Sequence, residues 1–172
     1  TAMLWFAMDF LRGETRANHA SRGYLKATFW VVFIIFLMML SGGFVAGTKA
    51  GYIINTFPTM NGEWIPSGWL SIQPAWRNLF ENPVMVQFIH RCIAVLVLAS
   101  VIIAFVVGIK QRFRTGRGLV LTIMFVQVSL GISALVMQVP VALGAAHQAG
   151  AVALLSAALY AAHMARKGRQ YS

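Results

Sequence analysis

With 172 residues, 59% of them hydrophobic and only 10% charged, the chain is too apolar for a water-soluble domain, where about a quarter of residues carry charge. Its mean hydropathy of +0.72 fits a polytopic membrane protein, and its length fits one compact membrane domain. The net charge of +10 does not point to nucleic acid: the basic residues cluster beside apolar runs, as in positive-inside loops, and no stacking platform or basic helix face lies outside those runs.

Residues 1–27 read as an apolar stub followed by a basic connector. Ala2 to Leu11 are too short to span and look like the tail of a preceding transmembrane helix. The chain starts with Thr1 rather than Met, so the expectation is the C-terminal part of a longer protein. Arg12, Arg16, Arg22 and Lys26 mark the connector as inner, and His19 reads as a solvated loop histidine.

A four-span bundle is expected over residues 28–165, with spans at 28–46, 84–109, 119–138 and 141–164. Each run approaches or exceeds the roughly 20 residues a helix needs to cross the hydrocarbon layer. The first span ends in small residues, and Gly43, Gly47 and Gly51 repeat at a spacing of four. That bare face admits either close helix packing or a flat cofactor. Residues 48–83 form a long loop rich in Pro, Gly and Asn, with Trp64, Trp69 and Trp76 suited to a membrane interface. It reads as the outer side, and as a packed cap rather than a tether.

The 84–109 span is apolar or small except for Gln87, His90 and Arg91. Ionisable residues inside a span are costly and usually functional. A basic loop with Lys110, Arg112, Arg114 and Arg117 follows, and the third span sets Gln127, Gly131, Ala134 and Gln138 on one face. Gln127 and Gln138 read as interhelical hydrogen-bonding groups before ligand contacts. Val139 and Pro140 turn the chain into the fourth span, and residues 166–172 form a basic inner tail. Eleven of the 14 Lys and Arg residues thus lie in three inner segments, which predicts both ends inside. The lone cysteine, Cys92, excludes an intrachain disulfide and reads as a small buried apolar residue.

His90 lies six residues after Val84 and His147 seven after Pro140, so each is about 9–10 Å along its helix from the outer end. Two imidazoles at one depth can clamp a metal. No Cys, Asp or Glu accompanies them in the spans, which serves a closed tetrahedral zinc site poorly. A haem needs only two axial ligands, and histidine is one of its ordinary ligands. Gly144, Ala146, Gly150 and Ala151 leave room beside His147 for a ring plane. A pair of histidines hydrogen-bonded between helices, in a haem-free packing domain, is the competing reading. Arg91 is placed to meet either a haem propionate or Glu81. Gln87 and Gln148 are polar side chains near the imidazoles along the chain, available as hydrogen-bond partners. His163, near the inner end beside Arg166 and Lys167, has no partner at its depth and reads as interfacial.

The segments GGFVAGTKAGYIINTFPTMNGEWIP, WRNLFENPVMVQFIHR and AHQAGA resemble the C-terminal half of the haem A synthase family, over about Lys26 to Arg166. The resemblance implies an eight-span protein of two similar four-helix halves, of which this is one. It implies an oxidoreductase that converts the C8 methyl of haem O to a formyl group, giving haem A for cytochrome c oxidase. His90 and His147 match the family's pair holding a haem b cofactor. The catalytic glutamate belongs to the other half, so no catalytic residue carries over; the outer-loop cysteine pair of some relatives has no counterpart here. Implied partners are the lipid bilayer, haem O, haem O synthase and an electron donor, either a quinol or a redox protein. The implied location is a bacterial plasma membrane or the mitochondrial inner membrane. The alternative is a bis-histidine, cytochrome b-like electron-transfer subunit.

Overall fold

The computed structural model describes Met3 and residues 20–110 and 114–170. The expectations for Ala2–Leu11 apart from Met3, for the connector residues Arg12 and Arg16, for His19 and for Arg112 lie outside the described residues.

The chain is an all-α membrane bundle. Among the described residues four helices are long and apolar enough to cross a bilayer: α1 (Arg22–Gly47), α3 (Pro83–Val107), α4 (Arg114–Val136) and α5 (Val141–Gln170). A short α2 (Asn78–Glu81) precedes α3. The helices outrun the apolar runs at their basic ends, because Arg and Lys have long stems that let them join a helix while their heads stay polar. α1 starts at Arg22, capped by Ser21, whose hydroxyl accepts from the Tyr24 N–H at 3.2 Å.

Side-chain contacts fix the directions. At one end Gly108 of the α3 terminus lies against Tyr24 of α1, and Gly116 of α4 against Ala161 of α5. At the other end Asn55 donates to the Leu135 carbonyl of α4 at 2.9 Å, and Gly51 meets Val139. α1 packs on α3 and α5, and α4 packs on α5 and α3. The helices therefore stand in a ring ordered α1–α3–α4–α5, with α3 and α5 on one diagonal and running in the same direction.

The apolar core fills the half of the bundle away from the long loop. Val31, Ile34 and Ile35 of α1 meet Val97 and Val101 of α3, Val120 and Met124 of α4, and Leu154, Ala157 and Ala161 of α5. Small alanines let α5 approach its neighbours closely, which matters where lipid tails remove any hydrophobic drive between helices. Outward, α1 exposes Phe29, Trp30, Phe33, Phe36 and Leu40 as a lipid-facing stripe. Gly43 and Gly47 meet nothing within 4 Å at a Cβ position, so among the described residues neither makes a close helix approach. Cys92 is exposed on the outside of α3, not buried: its position on the helix turns it away from the bundle.

The long loop is a structured cap. Asn82 is the N-cap of α3, its oxygen accepting from Val84 and Met85. Its amide donates to the Gly68 and Trp69 carbonyls and to Asn78 Oδ1. Asn78, fully buried, accepts from the Ile72 N–H and donates to the Ile72 and Ala75 carbonyls. Trp69 packs edge-on against Phe88, while Trp64 and Trp76 are exposed. The α4–α5 turn places both Gln138 (φ 59°) and Val139 (φ 55°) in the left-handed region, which is strained for a β-branched residue. Val139 reaches Gly51 with one methyl and Gly144 with the other; its packing holds the turn and so sets where α5 begins.

Candidate functional site

His90 is the eighth residue of α3 and His147 the seventh of α5, which puts both imidazoles about 9–10 Å from the cap end. Both are half-buried, at one depth on two helices of the same diagonal. The diagonal placement of α3 and α5 is what lets them face each other.

Each ring rests on a glycine of a neighbouring helix. A Cβ on Gly42 of α1 would sit 3.5 Å from His90 Cε1, and a Cβ on Gly131 of α4 only 2.8 Å from His147 Cε1. Gly131, read from sequence as part of a polar and small stripe, is thus the cradle of His147. Gln127, one turn earlier, donates to the His147 carbonyl at 2.7 Å and lies over Gly150, the interhelical bond that its sequence position suggested.

Neither glutamine expected beside the histidines holds a ring. Gln87 is buried and donates to the Ile54 carbonyl at 2.9 Å, and Gln148 faces outward. The partner of His90 is Ser41, with Oγ 2.8 Å from Nδ1. Nothing in the sequence singled out Ser41, since its role depends on how α1 is rotated against α3.

Arg91 does not pair with Glu81. Glu81 is bridged by Arg77, one turn before it, through Nε at 3.0 Å and Nη2 at 2.5 Å. This hydrogen bond holds the Glu81 carboxyl below its usual range. Arg91 reaches instead to the Thr59 and Ile54 carbonyls at 3.3 and 3.4 Å, and its Nε is buried without a hydrogen-bond partner. His163, near the far end, is buried within the bundle, 1% exposed.

The donor set suits two axial ligands. Among the described residues no group of three or more His, Cys, Asp or Glu could hold a metal, so the pair would need a ligand that brings its own equatorial donors. His147 Nδ1 and Gln127 Oε1 are buried without hydrogen-bond partners, as in a site shaped for a further group. The cap end supplies Arg91, a cation suited to carboxylates.

These features define a membrane helical bundle with a two-histidine site near one face. The family model described as cytochrome oxidase assembly protein (COX15-CtaA) matches residues 1–159, and the chain belongs to this family. It is 43% identical to the heme A synthase of Nitrosospira multiformis over 96% of this chain and 48% of that protein. It is 37% identical to the heme A synthase of Parvibaculum lavamentivorans, again over 96% and 48%. It is 41% identical to heme A synthase COX15 of Bos taurus over 92% of this chain and 40% of that protein. The chain thus spans about half the length of the curated relatives it matches. No solved structure matches it.

Proposed function

We propose that this chain is the haem-holding half of a haem A synthase, with His90 and His147 as axial ligands of one b-type haem and Arg91 at its propionate edge. The whole protein would oxidise the C8 methyl of haem O to a formyl group. The observation that carries the reading is the pair of half-buried imidazoles at one depth, each resting on a glycine, in a chain of the cytochrome oxidase assembly family.

Held by His90 and His147, a haem would supply one-electron chemistry. The chain's own contribution is positional. α3 and α5 hold the two imidazoles at one depth, and Gly42 and Gly131 remove the side chains that would push the rings aside. Arg91, already anchored to the cap, would offer its free Nε–H to a carboxylate. The apolar core below closes the bundle against water, and the cap covers the polar end.

The test is the protein with its full upstream sequence, purified in detergent. It should carry a low-spin haem b and convert haem O to haem A. His90→Met should keep six ligands and shift the reduction potential upward, as Met/His ligation does. An unchanged potential in His90→Met would contradict the ligand assignment. Intact haem b without haem O oxidation would favour the electron-transfer reading.

A further inference from the structure

We propose that Ser41 is a positioning residue that fixes His90 in the Nδ1–H tautomer, leaving Nε2 as its metal-binding nitrogen. The inference rests on the two-histidine reading above and goes beyond it, since it chooses which nitrogen binds and how strongly it donates.

Ser41 Oγ has two close polar neighbours. It lies 2.8 Å from the Met38 carbonyl oxygen one turn back on α1, and 2.8 Å from His90 Nδ1 across the helix interface. The hydroxyl has one proton, and the carbonyl can only accept. If His90 carried its proton on Nε2, both neighbours would be acceptors competing for that single proton, and one contact would be left unmade. If the proton is on Nδ1, both contacts are hydrogen bonds: Nδ1–H donates to Ser41 Oγ, and Ser41 O–H donates to the Met38 carbonyl. A chain of this kind also strengthens each bond through the other. The Nδ1–H tautomer is therefore the one this site selects, and the Met38 Sδ contact at 3.9 Å is too long to compete with the carbonyl.

Nε2 then carries the free lone pair, and among the described residues no hydrogen bond reaches it. An acceptor on the outer N–H of a ligating histidine fixes the ring and raises its basicity. His147 differs: its Nδ1 is buried without a hydrogen-bond partner. The two ligands are thus unequal, with His90 the stronger donor and its ring pinned to α1.

The experiment uses protein labelled with ¹⁵N-histidine, with the His90 ring signals assigned by their loss in His90→Gln. In haem-free protein His90 should show a protonated Nδ1 and an unprotonated Nε2. Ser41→Ala should redistribute the proton to Nε2, and Ser41→Thr, which keeps the hydroxyl, should restore the original pattern. In protein loaded with haemin, Ser41→Ala should raise the reduction potential and change the g-anisotropy of the low-spin signal, with Ser41→Thr close to wild type. An Nε2–H tautomer in the unmutated haem-free protein, or an Ala variant with unaltered tautomer and potential, overturns the role of Ser41. A protein that takes up no haemin yet shows the Ser41-dependent Nδ1–H tautomer upholds that role and overturns the proposed function instead.

Discussion

At the scale of single residues, the site depends on absent side chains as much as on present ones. Gly131 is the sharpest case, because a methyl there would sit inside the contact distance of the His147 ring. Overpacking of this kind costs about 1–3 kcal/mol. Gly131→Ala should tilt or displace the imidazole, so the purified variant should hold less haem, with a broadened low-spin resonance. Gly43→Ala, where nothing lies within 4 Å, should leave both unchanged; equal losses in the two variants would show that general helix destabilisation, not the cradle, is being read. The histidines themselves were legible in the sequence, because an ionisable group in an apolar run stands out without any structure. The hydrogen-bond partner of His90 was not. Gln87 and Gln148 were near His90 and His147 along the chain, but helix rotation turns Gln87 to Ile54 and Gln148 outward. Ser41 is 49 residues from His90, and only packing brings it there. Arg91 could be placed near the outer end, yet its choice of loop carbonyls over Glu81 followed from Arg77 sitting one turn before Glu81 on the same helix face.

At the scale of elements, the cap sets where α3 starts and therefore how deep His90 sits. Asn82 combines an N-cap with several donations into the loop. Asn82→Ala should lose about 2–3 kcal/mol, a helix cap plus buried carbonyls left without their donor. Thermal unfolding in detergent should show the loss, and proteolysis within residues 56–77 should become faster. A variant as stable as the parent would mean that α3 is positioned by its membrane-embedded contacts alone. The Arg77–Glu81 bridge makes a smaller, pH-dependent contribution. Because the folded carboxyl titrates below its usual range, its stabilisation is present above the ordinary Glu range and lost as pH falls through the depressed value. Both side chains are largely exposed, so the effect is weak and screened by salt. Glu81→Gln should remove that part of the acid limb and leave stability equal to the parent once pH is well below the depressed value; a difference persisting there would point to a role other than charge. The extents of α1 and α5 were less legible than their existence, since Arg22–Lys26 and Arg166–Gln170 are helical although polar. Apolarity reports the bilayer, whereas a helix continues as long as its backbone bonds do.

At the scale of the whole molecule, four apolar runs alternating with loops were enough to give an all-α membrane bundle, because no other structure satisfies backbone groups within lipid except a closed barrel. Which helices share a diagonal was not legible; the loops alone allow several rings, and packing of small residues selects the one that faces α3 with α5. The gathering of Arg22, Lys26, Lys110, Arg117 and Arg166 at the end opposite the cap predicts that this end lies inside. Reporter fusions after Arg114 and Gly168 should read inside and one after Asn61 outside; an inside signal at Asn61 would invert the arrangement and put the histidine pair near the inner face. The central claim is that His90 and His147 together hold one haem, and the most direct measurement is the absorption and paramagnetic-resonance spectrum of purified His147→Ala beside His163→Ala. The account predicts that His147→Ala loses the low-spin bis-histidine signal and much of its haem while His163→Ala keeps both, and a His147→Ala protein retaining a full complement of low-spin bis-histidine haem would contradict it.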